Sequence, residues 1–168
     1  EKFLRLARGA NPTVLETLYS PQIELAGPAI WPGLSELRLR GAFLSKRAEQ
    51  TFVGYAESQF TKMSRSRERG MPIKWQHAMH LVRLLRVGER LMRTGELSVA
   101  VPPEERDELL AIRRGERTWE DVCRLREQLS ASFASAARGT PLPDSPDVEA
   151  VERLLIELRL LGIEEACR

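Results

Sequence analysis

Four basic side chains recur at steps of three along one short segment: Lys74, His77, His80 and Arg83. Each helical residue advances the chain by about 100° around the axis, so this spacing carries the four side chains diagonally across one surface. All four can donate hydrogen bonds to phosphate oxygens. The spacing predicts a phosphate-binding ribbon, and the alternative for each histidine is an ordinary structural role.

The same segment also carries an apolar face, within about 120° when Ile73 is the reference. Its members are Leu81, Leu84, Leu85, Gly88, Leu91 and Met92. Lys74 and His77 fall inside this face. His80 falls at its edge and Arg83 outside it. A lysine on a buried face needs a carboxylate or a ligand anion, because an unpaired buried charge is costly. Alternatively, the helix projects past its partner at this end and Lys74 extends into water.

A second polar stripe lies on the preceding helix. Tyr55, Gln59, Lys62 and Ser66 follow at steps of four, three and four, which align side chains on one side of a helix. A tyrosine ring with an amide four residues later can stack on and hydrogen-bond a nucleobase, and Lys62 can reach a phosphate. The stripe predicts a nucleotide-binding face, and the alternative is a hydrated surface.

Charge is segregated along the chain, although the net charge is only +2. Residues 38–93, the basic middle, contain 13 basic and 4 acidic side chains, whereas residues 94–168 contain 10 basic and 16 acidic ones. Within the middle, residues 62–69 form a basic patch suited to a nucleic-acid backbone, or simply a solvated turn. The segregation predicts either a surface for an anionic partner or pairing between the two parts.

Several catalytic motifs are absent from the sequence. It has no G-x-x-x-x-G-K-[ST], G-x-G-x-x-G, G-x-S-x-G or H-E-x-x-H motif, and no D-x-D pair that could hold two divalent cations. Cys123 and Cys167 lack metal-ligand spacing, so we expect no metal site, packing thiols and a reducing compartment. No apolar run suits a membrane span or a secretion signal, so we expect a cytoplasmic protein.

Helical periodicity predicts a mainly α fold, a helical bundle around a long antiparallel helix pair with at most one or two short strands. The pair covers residues 45–67 and 72–93, and a strand is expected at 97–101. The other predicted helices cover residues 1–7, 12–19, 103–114, 119–138 and 147–161. A Pro/Gly-rich loop at 20–33, anchored by Ile30 and Trp31, suggests a ligand-facing lid. We expect a helical region at 1–138, then a hinge loop and C-terminal helix at 139–168.

The order of several segments matches a known pattern. They are NPTVLETLYS, GYAESQFTKM, KWQHAMHLVRLL, RTGEL and LLAIRRGE. This succession resembles the predicted nucleotidyltransferases of the DNA polymerase beta superfamily, including those associated with bacteriophage RNA ligases. The resemblance covers about residues 1–115, and it implies NTP as substrate and an RNA end or another acceptor.

The resemblance also implies a set of site residues. They are Asn11, Pro12, Glu16, Gly54, Tyr55, Gln59, Lys74, His80, Arg83, Gly95, Glu96, Arg113 and Gly115. Lys74, His80 and Arg83 would contact phosphates, and Tyr55 and Gln59 the base or sugar. Glu16 would orient one of the basic side chains. His77 is a candidate from the helix projection alone.

Such enzymes hold the triphosphate and Mg²⁺ through a Gly-Ser motif and an Asp-x-Asp pair on a small sheet. Neither motif occurs in this sequence, which opens with Glu1 and has no methionine before Met63. We therefore expect the helical part of such an enzyme, with these motifs upstream and Mg²⁺ bound only by them. This chain alone is expected to bind rather than catalyse.

Two further hypotheses stay open. One is a non-enzymatic helical module that binds RNA or DNA through the basic middle, with a steep dependence on salt. The other is a structural or protein-interaction domain whose acidic last part docks on a partner or on its own basic middle.

Overall fold

A computed structural model describes residues 2–20 and 40–166 of the chain. All regular structure in these ranges is α-helical, which confirms the predicted mainly α fold and its long helix pair. The seven described helices are α1 Lys2–Arg8, α2 Pro12–Leu18, α3 Arg47–Glu68, α4 Trp75–Thr94, α5 Pro103–Arg113, α6 Trp119–Arg138 and α7 Val148–Ala166.

The strand predicted at residues 97–101 is wrong, because this segment is irregular. Leu97 is buried in it. A strand needs a neighbouring strand to pair its backbone groups, and the described parts of the chain contain none. α7 continues past its predicted end at residue 161. Residues 21–39 lie outside the described residues, so the loop anchored by Ile30 and Trp31 stays a prediction.

Side chains at the helix starts explain where two of the helices begin. At α2, the backbone N–H of Val14 donates to Asn11 Oδ1 at 3.2 Å. At α6, Asp121 N–H donates to Thr118 Oγ1 at 3.1 Å, while Thr118 N–H donates to Asp121 Oδ2 at 3.1 Å. Hydrogen bonds from Thr118 lower the pKa of the Asp121 carboxyl below its ordinary value. Both helix starts are those that the sequence predicts.

The chain divides into two compact units, formed by residues 1–48 with 142–168 and by residues 49–141. In the first unit, α1 packs on α2 and α7. Lys46 there pairs with Asp144, with its Nζ 2.6 Å from Oδ1. The domain boundary predicted at residue 138 stays a prediction.

The second unit is organised around α4. This helix packs on α5 and α6, and it contacts α3 through its buried face. A Cβ at Gly88 would lie 2.8 Å from Phe52 Cδ1 and would also collide with the ring of Phe133. Gly88 therefore lets aromatic rings from α3 and α6 approach the backbone of α4. This packing holds the polar faces of α3 and α4 in register.

Candidate functional site

A pocket of about 110 Å³ lies between α3 and α4 in the unit of residues 49–141. Its lining residues are Tyr55, Ala56, Gln59, His77, His80 and Leu81. Four of these six were singled out in the sequence: two from the stripe on α3 and two from the ribbon on α4. Because the two helices run antiparallel, the polar stripe of α3 and the basic ribbon of α4 lie at the same position along the helix pair. The structure thus joins two separately predicted surfaces into one site.

An aromatic and a basic side chain stand beside His80 in this site. The rings of Tyr55 and His80 meet edge to face, with centroids 6.4 Å apart and planes at 86°. Arg83 Nη2 lies 3.3 Å from His80 Nδ1. Because the guanidinium has only donors, His80 Nδ1 accepts and the ring proton of the neutral imidazole sits on Nε2. The hydrogen bond therefore fixes which ring nitrogen of His80 carries the proton.

The prediction that Lys74 and His77 belong to the buried face of α4 is wrong. Both side chains are exposed. Lys74 precedes the first helical residue, Trp75, and has φ −84° and ψ 81°, so the helical projection does not apply to it. His77 lies in the first turn of α4. The alternative that Lys74 extends into water is the one that the structure confirms.

The apolar face itself lies where the projection placed it. Leu81, Leu84, Leu85, Gly88, Leu91 and Met92 are all buried. His80 and Arg83 are half-buried beside them. The error therefore lies at the start of the helix, and the predicted orientation of α4 is confirmed.

Four exposed cations cluster in sequence around the turn that joins α3 to α4: Lys62, Arg65, Arg69 and Lys74. We call them the turn cations. None of them pairs with a carboxylate of the described residues. Lys62 and Lys74 were predicted to bind phosphate, and their side chains are available for it. The cations of the predicted basic patch are thus exposed, and one of them, Arg67, pairs with Glu120 at 3.0 Å.

Other cations of the basic middle are neutralised by the acidic last part. Arg90 Nη1 lies 2.6 Å from Glu105 Oε1. Arg86 pairs with Glu108 and has its Nη1 3.8 Å from Glu105 Oε2. The alternative that basic and acidic parts pair with each other is therefore confirmed on the α4–α5 side.

A stack of side chains that the sequence analysis missed braces α3 against α6. The guanidinium of Arg126 lies 4.2 Å from the centroid of the Phe60 ring and donates to both Glu57 oxygens, at 3.1 and 3.0 Å. The Phe60 ring also stacks on the ring of Trp119, with the two ring centroids 5.2 Å apart. Phe60 follows Gln59 of the polar stripe on α3, but nothing in the spacing along this helix indicates which residues of α6 it contacts.

The residues implied as supporting ones take mostly structural positions. Asn11 caps α2, and Glu16 is half-buried on that helix; both belong to the first unit. Glu96 is exposed just after α4, and Arg113 is exposed at the end of α5. Gly115 has φ +73°, and a Cβ there would lie 2.8 Å from Trp75 Nε1. Gly115 therefore allows the indole ring at the start of α4 to pack closely.

A larger pocket of about 210 Å³ lies between α5 and α6, away from the predicted residues. Its charged lining includes Glu108, Arg117, Asp121 and Arg124. Two carboxylates thus balance two cations, and Glu108 is already paired with Arg86. Size alone favours this pocket, but its balanced charge gives no preference for an anion. The pocket between α3 and α4 is therefore the better candidate site.

Metal and thiol chemistry find little support in the described residues. Within residues 2–20 and 40–166, no group of three or more His, Cys, Asp or Glu side chains could hold a metal ion. These residues therefore do not fit an Mg²⁺ site. Burial raises the pKa of the half-buried Cys123 thiol, which disfavours the nucleophilic thiolate.

None of the described helices is long and apolar enough to cross a bilayer.

No curated protein and no solved structure matches the chain. A family model, described as the RNA repair pathway DNA polymerase beta family, matches residues 1–157. The match confirms the resemblance to nucleotidyltransferases of the DNA polymerase beta superfamily, and it extends well beyond residue 115. The chain therefore belongs to the RNA repair pathway DNA polymerase beta family.

Proposed function

We propose that this chain forms the nucleotide-binding helical part of a nucleotidyltransferase that acts on RNA ends. The observation that carries the proposal is that Tyr55, Gln59, His77 and His80, which come from two facing helices, line the same pocket. Family membership supports the class of reaction, and the pocket is the place that we propose for the nucleotide.

The proposed reaction moves a nucleoside monophosphate from an NTP to a hydroxyl of the acceptor. The hydroxyl oxygen attacks the α-phosphorus, and a new P–O bond forms. The bond from the α-phosphorus to the oxygen that bridges to the β-phosphate breaks, and pyrophosphate leaves. The hydroxyl proton passes to solvent. Positioned N–H donors favour this transfer because negative charge on the phosphate oxygens and the leaving group must be stabilised.

Each side chain around the pocket has a role in this proposal. The ring of Tyr55 stacks on the base, and the Gln59 amide hydrogen-bonds to the base or sugar. His80 and Arg83 donate hydrogen bonds to phosphate oxygens. The hydrogen bond between the two side chains fixes the position of the His80 ring proton for this donation. His77 lies at the exposed edge of the pocket as a further donor.

Two exposed lysines complete the phosphate contacts. Lys62 follows Gln59 by three residues on α3, and Lys74 precedes His77 by three residues. Neither ammonium group pairs with a carboxylate among the described residues, so both can turn toward a triphosphate. Binding to the triphosphate would order these long side chains. The entropy lost in this ordering offsets part of the electrostatic free energy gained.

The remaining implied residues have weaker roles. Asn11 supports the first unit as the cap of α2, whereas Glu96 lies just after the end of α4 and Arg113 at the end of α5 in the unit that carries the site.

Catalysis needs groups that this sequence does not contain. It has neither a Gly-Ser nor an Asp-x-Asp motif, and the described residues do not fit Mg²⁺. We therefore assign Mg²⁺ and its carboxylates to residues outside this sequence, and we assign no metal-dependent step to the residues described. By itself the chain is expected to bind NTP without turning it over.

Isothermal titration with each of the four ribonucleoside triphosphates tests the proposal. We expect Lys74→Ala to weaken binding of the preferred NTP about tenfold, the effect of one charge-assisted hydrogen bond. The matched control is Lys2→Ala, which removes an exposed lysine from the other unit. Equal affinity of the two variants, or no binding of any NTP by the unchanged chain, contradicts the proposal.

The exposed turn cations favour a second candidate function, a non-enzymatic module that binds nucleic acid. It predicts RNA or DNA binding that falls steeply with salt and is insensitive to NTP. Lys74→Ala separates the two candidates, because a diffuse backbone contact loses much less than a triphosphate contact.

A further inference from the structure

Two of the turn cations have no role in the nucleotide pocket. Arg65 lies near the end of α3, and Arg69 follows that helix directly in the turn. Both are exposed, and neither has a carboxylate partner among the described residues. Their state is unlike that of Arg86 and Arg90, which carry the same charge but are held by Glu105 and Glu108. Unpaired charge of one sign on a surface attracts a partner of the opposite sign.

The geometry of α3 connects these arginines to the pocket. Tyr55, Lys62 and Arg65 fall within about 80° around the helix axis, so they share one side of α3. Ten residues separate Tyr55 from Arg65, which corresponds to about 15 Å along the helix. Lys62 lies between them. Lys62 and Arg65 therefore lead from the Tyr55 edge of the pocket, on the side of α3 away from Ala56, toward the turn that carries Arg69.

A track of this shape fits one strand of nucleic acid. Its length of about 15 Å covers only a few phosphates of a strand, whereas proteins that read double-stranded RNA by shape span about 16 base pairs. An aromatic ring at the end of a line of cations is the combination that binds single strands, since the ring stacks on a base and the cations follow the backbone. Tyr55 is such a ring.

We infer that Arg65 and Arg69 bind the phosphates of a single-stranded RNA acceptor whose reacting end lies at the pocket between α3 and α4. The inference rests on the proposed function, because it takes the pocket as the place where the nucleotide is transferred. The arginines hold the strand, and the pocket residues hold the NTP. Binding of the acceptor and binding of the NTP therefore depend on different side chains.

The double variant R65A/R69A tests this division. The matched control is R106A/R138A, which removes two exposed arginines of the same unit that also lack carboxylate partners among the described residues. The probe is a fluorescein-labelled single-stranded RNA of 12 nucleotides, about the length that covers the track with free ends. Its affinity is measured by anisotropy at several salt concentrations.

We expect R65A/R69A to bind this RNA at least tenfold more weakly at low salt. The slope of log K against log salt should become shallower by about 1.4, since each lost single-strand phosphate contact removes about 0.7. R106A/R138A should keep the slope of the unchanged chain. R65K/R69K, which retains the charges, should restore it, and this rescue separates a charge effect from a change in folding.

Three results overturn the inference: equal slopes for R65A/R69A and the control, equal affinity for a duplex of the same length, or equally strong competition by polyglutamate. The last would indicate an acidic protein segment as the partner. Titration with NTP keeps the two proposals distinguishable. R65A/R69A should bind NTP as the unchanged chain does, whereas failure of the unchanged chain to bind NTP defeats the proposed function itself.

Discussion

Arginine side chains differ in their pairing with carboxylates between the α4–α5 interface and the turn that joins α3 to α4. At the interface, Arg86 is only 13% exposed, and its guanidinium is held by Glu105 and Glu108. At the turn, Arg65 and Arg69 are exposed and no described carboxylate pairs with them. All three arginines belong to the basic middle. The comparison shows that the charge of a segment does not reveal which of its charges are available to a ligand.

Spacing on the neighbouring helix accounts for the difference. Arg86 and Arg90 lie four residues apart on α4, and Glu105 and Glu108 lie three residues apart on α5, so each pair shares one helix face. The packing of α5 on α4 then brings the two faces together. Paired cations of this kind contribute to stability, whereas the turn cations are free to contribute to binding.

The largest expected difference between the two regions is in the free energy of unfolding. Arg86→Ala removes the partner of the partly buried Glu108 and one of the two partners of Glu105, which keeps Arg90. We expect a loss of about 2 kcal/mol, below the range for fully buried pairs because both carboxylates are partly exposed. Arg65→Ala should change the free energy of unfolding by less than about 0.5 kcal/mol. Urea denaturation measures both; equal losses would contradict the comparison.

A smaller effect is expected from Gly115→Ala, which tests how the start of α4 is held beside Lys74. The substitution places a Cβ at φ +73° and close to the indole of Trp75. We expect a loss of about 1 to 2 kcal/mol from the backbone conformation and the displaced ring. The emission of the tryptophans should also shift. Gly139→Ala is the control, because a Cβ at Gly139 meets nothing within 4 Å and its φ is negative. Equal stability of the two variants would show that the contact with Trp75 is not needed.

The smallest effect concerns pH, and it involves the carboxyl group that caps α6. Hydrogen bonds from Thr118 lower the pKa of Asp121 in the folded chain. A lowered pKa means that the stabilisation is present above the ordinary pKa of aspartate and is lost as the pH falls through the lowered value.

The substitution Asp121→Asn tests this pH dependence. The melting temperature of this variant should lie below that of the unchanged chain at pH 7, and the difference should shrink as the pH falls below about 4. For Arg65→Ala, the difference should stay constant over the same range. A difference for Asp121→Asn that does not vary with pH would refute the assigned cause.

The helices could be predicted well from the sequence because their signals are local. Asn11 before Pro12 and Thr118 before Trp119 begin helices as their side-chain chemistry dictates. The buried face of α4 follows from its period, which places Leu84 and Leu91 on one side. The segment at residues 97–101 failed because a short apolar run does not show whether another strand is available to pair with it.

The residues that line the candidate site could be predicted from the sequence, but their contacts with one another could be predicted only in part. Tyr55 and His80 belong to separate patterns, and only the antiparallel packing of α3 and α4 shows that they meet at one pocket. Lys74 was misplaced because one turn of helix was assumed where the chain is not helical. The contact of Arg126 with Phe60 could not be foreseen, since residues distant in sequence carry no mark of being neighbours.

The central claim is that NTP binds between α3 and α4, and photolabelling tests it most directly. The chain is irradiated with 8-azido-ATP, and the modified peptides are identified by mass spectrometry after digestion. We expect label in the peptides that contain Tyr55 and Gln59 or His77 and His80, and loss of this label when excess ATP competes. Label confined to the pocket between α5 and α6, where Arg117 and Arg124 lie, would contradict it.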